Sequence, residues 1–222
     1  MATGSVVDHT RELVVLVHGL WMPGAASSLL GLRLRKLGFD TANFSYPSVR
    51  STLDEAAVRL GRFVAAHRSP RVHFVGHSLG GLVVMTMLHG SNIRSLGRAV
   101  LLGSPCNGCA AAVQLAGRRG WSMLLGRALP HWRGDQTATI NRPVEVGVIA
   151  GTRRFGLGCV FVTLQGPNDG VVTVEETRLP GLTDHLVMPV THSGMIVSAR
   201  VARQVGVFLK TGRFDMRDAT SS

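Results

Sequence analysis

One short stretch of the chain decides its fold: Val75-Gly76-His77-Ser78-Leu79-Gly80-Gly81. It follows an apolar run and leads directly into the apolar segment 82–85, so the chain turns sharply from a strand into a helix. Glycine at positions 76 and 80 leaves no Cβ to collide where the strand and the helix meet. The turn lifts the hydroxyl of Ser78 into the open beside the N–H groups of a helix N-terminus, which favour a developing negative charge. A G-x-S-x-G pattern in this setting predicts a nucleophilic serine.

The alternatives for this stretch are a glycine-rich phosphate loop and a plain tight turn. A phosphate loop carries a Lys-Ser/Thr pair, and a dinucleotide site carries a third glycine at a fixed spacing, but the stretch has neither. The sequence therefore favours a nucleophile turn over both alternatives.

Outward from this turn, short apolar runs alternate with longer segments of helical period. Continuous apolar character indicates strands that are buried on both faces. Strands separated by helices require parallel crossovers, so the sequence predicts an α/β fold with a mostly parallel sheet of about six strands and helices on both faces. The predicted strands are 13–18, 41–46, 72–76, 99–103, 144–150 and 186–190, and the predicted helices are 26–37, 53–67, 79–89, 110–132 and 194–209.

Length and composition indicate one globular domain over residues 1–222, with flexible termini at 1–11 and 213–222. With 45% hydrophobic and 17% charged residues, the chain is too apolar for a disordered protein. No window approaches the roughly 20 apolar residues of a membrane span, and the start lacks the layout of a secretory signal. These features predict a cytoplasmic protein.

The chain is strongly basic, with 24 Lys and Arg residues against 13 Asp and Glu residues and a net charge of +11. Such an excess raises the question of a nucleic-acid or anionic-membrane partner. The basic residues are scattered and only 5% of the residues are aromatic, so nucleic acid is disfavoured. Peripheral contact with an anionic membrane stays open, and the sequence does not fix the oligomeric state.

The three cysteines do not suggest a disulfide framework, because the number is odd and no export signal precedes them. Cys106 and Cys109 have the spacing of a metal site, but no second pair of ligands follows. Free thiols are therefore favoured over zinc, and we expect no metal and no cofactor.

Three parts of the chain together resemble the α/β-hydrolase superfamily, and within it the small bacterial esterases and lipases. They are the turn at Ser78, the strand exit Val17-His18-Gly19-Leu20 before it, and a later Asp and His. The similarity spans residues 13–209, with that family's first two strands absent. It implies a hydrolase with a minimal cap that cleaves carboxylic esters through an acyl-enzyme intermediate.

The resemblance also implies roles for residues near the serine. The backbone N–H groups of Leu20 and Leu79 form the oxyanion hole, and His18 and His77 are structural. Apolar side chains at Leu20, Trp21 and Met22 then favour an ester with an apolar acyl or aryl group.

A serine hydroxyl needs a positioned base, and in this family the acid and then the histidine follow the serine. His192 comes immediately after the last predicted strand, at the sheet edge where loops return over the site. His185 precedes that strand, which places it at the opposite edge. The sequence therefore favours His192 as the base. The other histidines downstream of the serine are His89, His131 and His185.

For the acid, Asp169 is favoured because it lies in the turn-forming cluster Gly166-Pro167-Asn168-Asp169-Gly170, which resembles the family's acid loop. Its alternative is an aspartate that stabilises its own turn. Residues 152–166, which connect the predicted strand 144–150 to this cluster, form a longer segment than a short turn requires, so the path of the acid loop stays open. The other acidic residues between serine and base are Asp135, Glu145, Glu175, Glu176 and Asp184.

The segment 109–133 follows the fourth predicted strand, where relatives place a lid. Its apolar residues, Trp121 among them, recur at helical spacing, so the segment is predicted either to cover an acyl pocket or to pack on the sheet. Thioesterase, amidase and acyltransferase activities use the same three residues, and the sequence does not separate them. A non-catalytic binding protein with this fold is the alternative from another class.

Overall fold

The first strand, β1, consists of five buried apolar residues, Leu13–Val17. Leu13, Val15 and Val17 face one hydrophobic cluster, whereas Val14 and Leu16 face a second cluster on the other side of the sheet. Burial on both faces explains why this run is continuously apolar. The computed structural model of the chain describes residues 11–90, 95–116, 126–128, 144–155 and 163–218.

Five further strands join β1 in one sheet. They are β2 (Asp40–Phe44), β3 (Val72–His77), β4 (Leu96–Leu102), β5 (Val146–Gly151) and β6 (Asp184–Met188). Their order across the sheet is β2-β1-β3-β4-β5-β6, and every neighbouring pair is parallel. All carboxyl ends therefore meet at one edge, where the loops that follow the strands gather.

Helices cover both faces of this sheet. They are α1 (Ser28–Lys36), α2 (Leu53–Ala65), α3 (Leu79–Gly90), α4 (Ala110–Ala116) and α5 (Ala199–Thr211). The apolar sides of α2 and α3 join the cluster on one face, and those of α1 and α5 join the cluster on the other. The predicted α/β class and six-stranded sheet are confirmed.

Local signals set the ends of several helices. Thr52 accepts the N–H of Glu55 and Glu55 accepts the N–H of Thr52, so a capping box starts α2 as its sequence spacing predicts. The predicted helix 194–209 is instead two elements, because Ser198 accepts the N–H of Val201 and begins α5 after a short 3-10 turn at Ser193–Ile196.

Three expectations differ from the structure. His185 lies inside β6 rather than before it, still at the amino end of the strand. The C-terminal segment is not free from residue 213 onward, since Phe214 is 6% exposed and its ring lies 4.8 Å from that of Phe208. Within the predicted helix 110–132, α4 covers Ala110–Ala116 and residues 126–128 form a turn instead of a helix, while residues 117–125 and 129–143 lie outside the described residues.

Among the residues that the structure describes, no helix combines the length and apolar character that crossing a membrane requires.

Two glycine substitutions test the packing of the nucleophile turn. A Cβ at Gly80 would lie 2.2 Å from the carbonyl oxygen of Val17, whereas a Cβ at Gly61 in α2 would meet no atom within 4 Å. We expect Gly80→Ala to lower the free energy of unfolding by about 3 kcal/mol or more, because backbone cannot move aside as a side chain does. Gly61→Ala, the matched control, is expected to raise it by about 0.5–1 kcal/mol. Urea unfolding measures both, and equal effects would contradict the close approach.

Candidate active site

Ser78 stands in a strained turn between β3 and α3. Its φ of 54° is in the left-handed region that side chains rarely adopt, and the residue is partly exposed. Close backbone approaches on both sides hold the turn, since a Cβ at Gly76 would lie 2.5 Å from Cα of Gly81. The hydroxyl makes no hydrogen bond with any residue in the described ranges.

His192 and Asp169 form a buried pair. Nδ1 of His192 lies 2.7 Å from Oδ2 of Asp169, and the two residues are 8% and 1% exposed. Oδ1 of the same carboxylate accepts the N–H groups of Val171 and Val172 at 2.9 and 2.8 Å. The backbone N–H of His192 also donates to the carbonyl of Asp169 at 3.0 Å. An ionised carboxylate only accepts hydrogen bonds, so Nδ1 carries the proton and Nε2 keeps a free lone pair.

Gly103, directly after β4, brings this pair to the serine. Its φ is 54°, and a Cβ there would lie 2.9 Å from Oδ2 of Asp169 and 3.1 Å from Nδ1 of His192. The preceding residue, Leu102, accepts the backbone N–H of Ser78 at 2.9 Å. The end of β4 therefore contacts the serine turn on one side and the Asp–His pair on the other.

His18 fastens the loop after β1. Its Nε2 accepts the backbone N–H of Tyr46 at 3.3 Å, so its Nδ1 carries the proton and donates to the carbonyl of Gly19 at 2.9 Å. Burial lowers the pKa of His18, which keeps the ring neutral. Tyr46 stacks on it at 4.7 Å between ring centroids and donates its hydroxyl to the carbonyl of His18 at 3.1 Å. Sequence reasoning missed Tyr46, because nothing in its local pattern points to a residue 28 positions earlier.

The fastened loop lies against the serine. A Cβ at Gly19 would be 3.1 Å from Cβ of Ser78, so the residue before Leu20 packs directly against the serine. Neither the N–H of Leu20 nor that of Leu79, at the start of α3, donates to a described residue.

The residues after Leu20 give the site an apolar rim. Trp21 has a φ of 60°, which turns the chain sharply after Leu20, and its side chain is 60% exposed. Met22 is partly exposed beside it. Trp121, the third residue predicted to bind substrate, lies outside the described residues.

Other candidate residues hold the structure together elsewhere. His185 exchanges a 2.9 Å hydrogen bond with the hydroxyl of Thr177, and Asp184 accepts the backbone N–H of Phe214. The carboxylate of Glu176 accepts the N–H groups of Thr173 and Ala110, which ties the acid loop to the start of α4. Asp184 and His185 lie at the amino end of β6, at the sheet edge opposite the serine turn.

The structure describes two of the three cysteines. Cys106 and Cys109 are thiols, and burial raises their pKa to about 12 and about 11, which opposes the thiolate form that binds zinc. No group of three metal-ligating side chains occurs within the described ranges. Cys159 lies outside them.

The predicted lid segment 109–133 is described only in part. In α4, Ala111 and Ala112 are buried while Val113 is 71% exposed. Further along, Ala128 is 6% exposed and belongs to the main core cluster, so this part of the segment packs as core.

Comparison with known proteins agrees with this architecture. A family model described as the alpha/beta hydrolase family matches residues 14–164. The mature Bacillus licheniformis lipase BlEst2 has a TM-score of 0.74 at 23% identity, over 91% of this chain and 92% of the lipase. Phospholipase PlaB from Legionella pneumophila has a TM-score of 0.71 at 14% identity, over 91% of this chain and 61% of PlaB. A pyrethroid hydrolase from Sphingobium faniae has a TM-score of 0.60 at 10% identity, over 91% of this chain and 98% of that hydrolase.

A comparison with curated protein sequences gave no match. The family model alone covers more than half of the chain, and the solved structures share its fold. The chain therefore belongs to the α/β-hydrolase family.

Proposed function

We propose that this chain is a serine hydrolase that cleaves carboxylic esters through an acyl-enzyme intermediate. The observation that carries the proposal is the buried pair of Asp169 and His192, 2.7 Å apart, beside a serine in a strained, partly exposed turn. A buried aspartate that serves only its own turn needs no imidazole on its second oxygen. The resemblance to a lipase and a phospholipase supports ester chemistry without deciding it.

The proposed acyl transfer assigns a step to each of these residues. Ser78 Oγ attacks the ester carbonyl carbon while Nε2 of His192 accepts the hydroxyl proton. Asp169 holds the ring in this orientation and stabilises the positive charge that the ring gains. The N–H groups of Leu20 and Leu79 bind the oxyanion of the tetrahedral intermediate.

The intermediate collapses when the bond from carbon to the leaving oxygen breaks and the alcohol takes the proton from His192. A water molecule then repeats the sequence on the acyl-enzyme, with His192 again accepting a proton, and the free acid leaves. The serine and His192 are not hydrogen-bonded in the described structure, which fits a catalytic contact that tightens when substrate binds.

The rim of the site favours an apolar acyl or aryl group on the substrate. Trp21 and Met22 continue directly from Leu20, whose N–H would hold the oxyanion, so the substituents of the reacting carbonyl pass over these side chains. A charged small metabolite would find apolar atoms there instead of an ion-pair partner.

The first prediction concerns the three residues of the proposed triad. Ser78→Ala, His192→Ala and Asp169→Asn are each expected to lower kcat/KM for an aryl ester by about 10⁴-fold or more, with retained folding. Asp169→Asn keeps the shape of the side chain but favours the wrong tautomer of the imidazole. Steady-state hydrolysis, together with circular dichroism to verify folding, measures the effect.

His185→Ala is the matched control, because His185 is a partly buried histidine of the same sheet at its opposite edge. It should keep most of the activity. If His185→Ala is inactive and His192→Ala is active, the assignment of the base is wrong.

The second prediction concerns the apolar rim. Trp21→Ser should raise KM for hexanoate and decanoate esters and leave that for acetate esters nearly unchanged, because each methylene that loses its contact costs about 0.8 kcal/mol, or about fourfold in binding. Met216→Ser removes a side chain of the same 60% exposure at the other end of the sheet and is the control. A uniform change across the ester series would show that Trp21 does not contact the acyl chain.

A further inference from the structure

The imidazole of His77, the residue before the serine, contacts His192 in two ways. Its Nε2 lies 3.0 Å from the backbone carbonyl oxygen of His192, and the two ring centroids are 4.7 Å apart. These contacts join residues 115 positions apart in the chain. The turn that carries Ser78 therefore contacts His192, the residue proposed as its base, through the side chain of His77.

The proton on the His77 ring is fixed by its partner. A carbonyl oxygen only accepts hydrogen bonds, so Nε2 of His77 carries the proton and donates it. Burial lowers the pKa of His77 to about 3, with the nearby His192 as a smaller cause, and the ring stays neutral. Nδ1 is then an acceptor, and it is buried without a partner among the described residues.

A histidine in this position is not explained by packing. An unpartnered buried acceptor is unfavourable, and an apolar side chain would fill the same volume without it. Within the described ranges, the ring makes one hydrogen bond, the bond to His192. Compared with an apolar side chain such as leucine, the imidazole therefore adds one feature, the N–H that donates to the carbonyl of His192.

The backbone and the side chain of His192 are then held from two directions. Asp169 accepts its backbone N–H and its Nδ1–H, and His77 donates to its carbonyl. Among the residues that the structure describes, three of the four polar atoms of His192 have these partners, and the fourth, Nε2, faces Ser78 in the proposed mechanism.

We propose that His77 is a positioning residue for His192, so that the dipeptide His77-Ser78 sets the separation between nucleophile and base. The inference rests on the proposed hydrolase function, because it assigns the purpose of the contact to proton transfer. Misplacement of a reacting group by about 1 Å lowers the rate on the order of 10²-fold. Loss of the hydrogen bond from His77 to the backbone of His192 should therefore have a measurable effect on the rate of hydrolysis.

The test compares His77→Leu, which loses the donor, with His77→Gln, whose amide N–H can reach the same carbonyl. For hydrolysis of a soluble aryl ester, His77→Leu is expected to lower kcat by about 10²-fold with KM nearly unchanged, and His77→Gln to restore most of it. His73→Leu is the control, because His73 is a buried histidine at the other end of β3 that accepts the backbone N–H of Arg98. It should leave kcat unchanged in the folded protein.

A second measurement does not require turnover. The proton that His192 shares with Asp169 gives a low-field resonance in proton NMR spectra, which Asp169→Asn identifies by removing it. We expect His77→Leu to broaden or abolish this resonance and His77→Gln to retain it. If His77→Leu does not fold, His77→Asn, whose shorter amide does not reach the carbonyl, takes its place in both measurements.

An unchanged kcat and an unchanged resonance in the variant without the donor would overturn the inference, as would a rise in KM alone. A wild-type chain that hydrolyses no ester would overturn the proposed function instead, while the resonance would still decide whether His77 positions His192.

Discussion

The structure depends on the close approach of two backbone segments at the nucleophile turn. The first residues of α3 lie against the carbonyl groups at the end of β1, which leaves no room for a side chain at Gly80. Ser78 adopts a left-handed conformation to make this approach, and such a conformation persists only where the surrounding structure enforces it. The loop after β1 also packs on the serine itself, since a Cβ at Gly19 would lie 3.1 Å from Cβ of Ser78.

Three histidines surround the serine, and the charge of each has a consequence for the proposed chemistry. Burial lowers the pKa of His18 and of His77, so both rings stay neutral at physiological pH. A neutral ring does not repel the positive charge that His192 gains when it accepts a proton. Their hydrogen bonds hold backbone carbonyl groups in place. In the proposed mechanism, the buried carboxylate of Asp169 would stabilise the imidazolium of His192.

The sequence predicts those parts of the fold that local pattern controls. Strands buried on both faces are continuously apolar, and the turn at Ser78 carries its own glycines, so class, sheet and nucleophile turn follow from the chain itself. The roles of Asp169, His192 and the two N–H groups stay predictions. The structure adds the 2.7 Å distance between Asp169 and His192, which the spacing of residues along the sequence cannot give. Contacts between distant segments escape sequence analysis: Tyr46 on His18, Phe214 on Phe208, and the contact of His77 with His192.

Covalent labelling can show whether Ser78 is an activated nucleophile, as the proposed function requires. A fluorophosphonate phosphorylates a serine only where a base and an oxyanion site assist the attack, and mass spectrometry of the digested protein locates the adduct. The account predicts one adduct, on the peptide that contains Ser78, and its loss in His192→Ala, which keeps the serine but removes the base. No adduct on the folded wild-type protein, or an adduct at another residue, would contradict it.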